Sequence, residues 1–81
     1  MNHIGELSDL GKGQKGTVIA VDSEETMRRR LQDLGLIKGT EVICIGESPL
    51  GDPVAYLIRG AVIALRSEDS SCVRIVYSEE M

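Results

Sequence analysis

The chain contains no tryptophan and no phenylalanine, and among its 81 residues Tyr56 and Tyr77 are the only large aromatics. Platforms that grip single-stranded nucleic acid are built by stacking bases on such rings, so this class of binder is a poor fit. Positive charge is scarce as well. Nine Lys and Arg face thirteen Asp and Glu, leaving a net charge of −4 and no long basic tract, the reverse of a phosphate-binding footprint. No nucleic-acid partner is expected. His3 is the only histidine, Cys44 and Cys72 are far apart in sequence, and neither a CxxC nor an HxxxH spacing occurs. No transition-metal cage is therefore legible, and no metal ligand is assigned. The two cysteines are expected to be reduced thiols.

Long apolar runs are missing too. Nothing approaches the ~20 apolar residues that cross a bilayer. Met1-Asn2-His3, followed by Glu6 and Asp9, has neither the basic start nor the apolar core of a secretory leader. A cytoplasmic location is the expectation. No Ser/His/Asp set, no locally signed Cys/His pair and no GxxxxGK loop is present, and the carboxylates are scattered through caps and loops. The expectation is a non-enzymatic chain with no catalytic residue and no cofactor.

What is present is a single amphipathic helix among short Val/Ile-rich runs. With 42% hydrophobic residues, no linker and no internal repeat, residues 1–81 read as one domain with one modest core. The helix is expected over Ser23 to Leu34. Asp22 or Ser23 stands as N-cap, Glu24 and Glu25 fill the first turn, and Asp22 with Glu25 has capping-box spacing. Met27, Leu31 and Leu34 stack on one face, and Gly35 supplies the positive φ that ends a helix. A helix this short needs a surface to pack on. Strands are expected at Thr17 to Val21, Glu41 to Gly46, Val54 to Arg59, Ala61 to Arg66 and Val73 to Tyr77. Gly60 reads as the centre of a tight hairpin, and Ser67-Glu68-Asp69-Ser70 as a capped turn. About five strands, one inserted helix and short helical turns fit a mainly β, partly open small barrel better than a sandwich.

Three segments invite functional readings. Gly11-Lys12-Gly13-Gln14-Lys15-Gly16 matches GxGxxG literally but precedes a strand, whereas a dinucleotide loop lies between strand and helix. It reads as a turn, with a KOW-type loop-then-strand module of ribosome and transcription partners as competitor. Arg28-Arg29-Arg30 is the one basic run, and at ~100° per residue its members fan around the helix. Arg29 points outward and Arg30 flanks the core. Glu24 to Arg28 and Glu25 to Arg29 have the favourable i,i+4 order, worth ~0.3 to 0.5 kcal/mol each. A solvated helix face explains Arg28 and Arg29; an acidic partner surface is the sharper reading. Glu47 to Pro53 is a stiff loop with two prolines, and it offers Leu50 at its tip. A lone exposed leucine is ordinary, but a rigid loop presenting one is also a docking device.

The order of segments resembles the FeoA family over nearly the whole chain. The resemblance is carried by Leu7-Ser8-Asp9-Leu10, by Gly13 to Ile19, and by Arg29-Arg30-Leu31 followed by Leu34-Gly35-Leu36 and Gly39. Gly51-Asp52-Pro53 and Ala64-Leu65-Arg66 complete it. Lys38 stands where the family often has proline, and Ser70-Ser71-Cys72 replaces an alanine-containing turn. The resemblance implies an SH3-like barrel acting as a cytosolic accessory protein of Fe²⁺ uptake that binds the FeoB membrane transporter and supports or regulates it. The same barrel occurs as a module of DtxR-like metal-dependent repressors, and here the free-standing form is expected. On this reading Arg28, Arg29 and Leu50 are the expected partner-binding residues. Two alternatives stand beside it: the KOW-type barrel, and a metal sensor using carboxylates with Cys44, Cys72 or His3.

Overall fold

A computed structural model describes residues 2–78. Six strands, β1 (Asn2–Glu6), β2 (Lys15–Val21), β3 (Glu41–Glu47), β4 (Val54–Ile58), β5 (Ala61–Leu65) and β6 (Val73–Ser78), form one antiparallel sheet in the order β1-β6-β2-β3-β4-β5. Helix α1 (Glu25–Asp33) joins β2 to β3, and a four-residue helix, α2 (Ser67–Ser70), joins β5 to β6. The sheet curls without closing, so β1 and β5 are free edges. The 3₁₀ turn Leu7–Asp9 packs on α2 across the gap, and the Tyr56 hydroxyl reaches the Leu7 carbonyl at 3.5 Å. The mainly β, partly open barrel stands, with one strand more than expected.

That additional strand is β1. Asn2-His3-Ile4-Gly5-Glu6 has one β-branched residue, so no local signal marks it. It is recruited by β6, with which it pairs from Asn2↔Ser78 to Glu6↔Arg74. Strand β2 begins two residues earlier than expected, because Lys15 and Gly16 pair with Ile43 and Val42.

The helix also differs from its expected form. Neither Asp22 nor Ser23 caps it: the Glu24 carboxylate accepts the Met27 N–H at 2.7 Å, so the helix starts at Glu25. Asp22 is turned toward β6 instead, its N–H donating to the Cys72 carbonyl at 2.7 Å and its carboxylate 3.7 Å from Arg74. At the other end Gly35 (φ +110°) reverses the chain, with Gly35 N–H on the Gln32 carbonyl and Leu36 N–H on the Leu31 carbonyl. This is a Schellman closure, whose companion is an apolar contact between the residues now standing at Leu31 and Leu36. Leu36 is fully buried and Leu34 is 36% exposed, so Leu36 takes the core position expected of Leu34.

Leu7, Val18, Leu31, Leu36, Val42, Tyr56, Ile58, Val73 and Ile75 fill the barrel with almost no exposure. Each such side chain contributes roughly 1.5 to 3 kcal/mol by leaving water. The β4–β5 hairpin turns on Arg59 (φ 52°) and Gly60 (φ 84°). Two successive left-handed residues between Ile58 and Ala61 make the type I′ turn that suits strand twist.

Candidate functional site

The three basic residues of α1 have separate fates. Arg29 pairs with Glu25 one turn away at 3.6 Å, both side chains about three-quarters exposed (75% and 76%). Such a pair is worth little. Arg28 is exposed and makes no ion pair among the described residues, because Glu24, its expected partner, is occupied as the helix cap. Arg30 was expected beside the core; it reaches 3.0 Å from Asp69 of α2, whose side chain is only 15% exposed. That long-range clamp carries no sequence signal, since its partners are 39 residues apart.

The loop between β3 and β4 is ordered by its own backbone. Gly51 N–H donates to the Ser48 carbonyl at 2.8 Å, Ser48 N–H to the Pro53 carbonyl at 3.1 Å, and Gly51 sits at φ +88°. The turn carries Leu50 outward to 94% exposure. Asp52 then accepts the Ser67 N–H at 2.9 Å, fastening the loop to the start of α2. Helix α2 thus holds α1 through Asp69 and the Leu50 loop through Ser67. Among the described residues no hydrogen bond or ion pair joins Arg28 or Arg29 to Leu50 directly; the two elements are linked through α2.

Beneath this loop lies a cavity of about 390 Å³, lined by Leu10, Lys12, Cys44, Glu47, Tyr56 and Ser70 among others. Burial pushes the Cys44 thiol up from its ordinary value, against a lowering hydrogen bond with Gly46. Burial likewise raises Tyr56, against a hydrogen bond from Ser70 that lowers it. Both groups are therefore protonated at neutral pH, and a protonated thiol is a poor nucleophile and a poor soft-metal ligand. The cavity offers hydrogen-bonding and apolar surface, with a cation and a carboxylate at Lys12 and Glu47. Cys44 and Cys72 are free thiols. Among the described residues no three His, Cys, Asp or Glu side chains converge as a metal site, and no helix is long and apolar enough to cross a membrane.

The family model for the FeoA domain matches residues 6–77. The chain belongs to the FeoA family. That family is associated with ferrous iron transport as an accessory domain. The fold is similar to the solution structure of a FeoA-like protein from Clostridium acetobutylicum, 30% identical, with a TM-score of 0.88 over 100% of this chain and 94% of that one. It is also similar to zinc-bound FeoA of Stenotrophomonas maltophilia, described as a prokaryotic SH3 domain protein. There the identity is 28% and the TM-score 0.77, over 86% of this chain and 87% of that one. A third relative is a Porphyromonas gingivalis protein that fuses Fe²⁺ transport protein A to the Fe²⁺ transporter FeoB. It is 29% identical over 69 residues, 85% of this chain, and the chain spans 8% of the fusion's length.

Proposed function

We propose that this FeoA-family chain is a non-enzymatic, cytoplasmic accessory protein of ferrous iron uptake that binds a FeoB-type transporter and regulates it. The observation that carries this reading is the fusion in Porphyromonas gingivalis, where a FeoA segment and FeoB share one polypeptide. Fusion raises the effective concentration of one module for another, which is useful when the two bind. Arg28 and Arg29 on α1, with Leu50 on the stiff loop, form the docking surface. Among the described residues Arg28 has no ion-pair partner and Arg29 has only an exposed one, and Leu50 is an apolar side chain held in water. The two patches are bridged by α2, so a partner that spans both meets an ordered surface.

The test is the triple variant Arg28→Ala, Arg29→Ala, Leu50→Ala, assayed for binding to the cytosolic region of the cognate FeoB. Affinity should fall at least tenfold, about 1.4 kcal/mol, with the melting midpoint nearly unchanged because none of the three is buried. Unaltered affinity would remove the surface assignment.

A further inference from the structure

The sheet's second free edge has its own chemistry. In β5, Ile63 and Leu65 turn inward, while Val62, 64% exposed, and Ala64 turn outward, and Ala61 at the strand's start is exposed as well. The type I′ turn makes Ile58–Ala61 the first hydrogen-bonded pair of the hairpin, so pairs alternate from there. Ile63 and Leu65 exchange bonds with Tyr56 and Val54, whereas Val62 and Ala64 aim their N–H and C=O groups off the sheet. No backbone or side-chain partner for these groups occurs among the described residues.

Unpaired edges are usually blunted by a charge, a proline or a bulge. Ala-Val-Ile-Ala-Leu has none of these. The outer face behind it is apolar too: Val62 lies beside Leu57, which lies beside Ile43, and Ala64 lies beside Ala55. Charge appears only at the strand's two ends. Arg59 occupies the hairpin turn, its stem against Gly35, and Arg66 follows Leu65; neither is ion-paired among the described residues. Asp52, which faces the Arg66 end, is engaged by the Ser67 amide.

We infer that β5 is a strand-accepting edge whose occupant is an extended segment of a partner protein, apolar at alternate residues and acidic at its ends. The main-chain groups of Val62 and Ala64 would supply the pairing, and the Ile43–Leu57–Val62 row would take the segment's apolar side chains. A second copy of the chain is the poorer occupant. Antiparallel self-pairing centred on Ile63 sets Arg66 of each copy opposite Gly60 of the other, next to Arg59, so that cations meet at both ends. An acidic-ended segment turns the same two positions into attraction.

The test uses the full chain and a capped nine-residue peptide of alternating valine and threonine flanked by aspartates, followed by residue-resolved amide hydrogen exchange. In the free protein the Val62 and Ala64 amides should exchange quickly and that of Ile63 slowly. Peptide should slow Val62 and Ala64 at least fivefold in a saturable way by about 1 mM, and a lysine-flanked peptide should bind several-fold more weakly. Val62→Pro removes only an outward donor, so it should fold and lose peptide binding. Val62→Lys, which leaves the backbone intact, gives the second reading if the proline variant unfolds, and it too should lose binding. Absence of protection at about 1 mM, equal binding of the lysine-flanked peptide, or protection that rises with protein concentration alone would each overturn the proposal. No transporter enters this experiment, so its outcome is independent of FeoB binding.

Discussion

Helix α1 and strand β5 are both exposed, yet they expose opposite things. The helix presents side-chain charge, with Arg28 unpaired among the described residues and Arg29 weakly held. The strand presents backbone, through Val62 and Ala64, over an apolar row. Charge recognition weakens with salt because exposed charges are screened within about 8 Å at physiological ionic strength. Strand addition through main-chain groups and apolar side chains is less salt-sensitive, with only the contribution of Arg59 and Arg66 at the strand's ends screened. A module that carries both surfaces has two separable ways of engaging a partner, and their salt dependence distinguishes them.

The two surfaces meet at one residue, which gives the strongest way to break the comparison. Gly35 closes α1, and Arg59 of the β4–β5 hairpin lies over it: a Cβ at Gly35 would fall 2.6 Å from Arg59 Cδ and 3.2 Å from Ile58 Cγ2. Gly35→Val adds left-handed strain to crowding and should cost roughly 2 to 5 kcal/mol, disturbing α1 and the hairpin together. Gly60 has a similar φ of +84° with nothing within 4 Å of an added Cβ. Gly60→Val should therefore cost only about 1 to 2 kcal/mol, confined to the β5 side. Denaturant melts of the two variants check the ranking, and a wild-type-like Gly60 variant would show that the turn does not need its left-handed residue.

The smallest effect is on pH. Cys44 and Tyr56 underlie the β3–β4 side, and burial raises both above their ordinary values of 9.0 and 10.0. An acid raised in the folded state stabilises it below the unfolded pKa, and that contribution is lost as pH climbs through the folded value. Stability should thus be flat near neutrality and decline in alkali from about pH 9. Exchange on β3 and β4 should quicken before exchange on α1. Cys44→Val should flatten part of the decline.

Much of this was legible in the sequence, for reasons that are local. The β-branched runs, the Gly60 turn and the Gly35 stop each act within a few residues, and each lies where the pattern put it. What escaped depended on distance. Strand β1 exists because β6 pairs with it, and Arg30 is oriented by Asp69 across the chain. The helix start was missed for a different reason: Asp22, Ser23 and Glu24 all have capping chemistry, and the choice fell to Glu24 once the Cys72 carbonyl and Arg74 had drawn Asp22 away. Leu36 displaced Leu34 because a Schellman reversal brings the second residue past the cap back onto the helix. Arg28, Arg29 and Leu50 could be named as exposed from spacing alone. Their connection through α2, and the open edge of β5, required the fold.

The central claim is that this chain docks on FeoB through the α1 and Leu50 surface. Titration calorimetry of the purified protein against the cytosolic region of the cognate transporter, with and without nucleotide and at low and high salt, tests it most directly. The account predicts saturable binding that weakens as salt rises. Absence of heat at ~100 μM, an affinity no better than about −5.5 kcal/mol, would contradict it, as would binding indifferent to salt and to the loss of Arg28, Arg29 and Leu50.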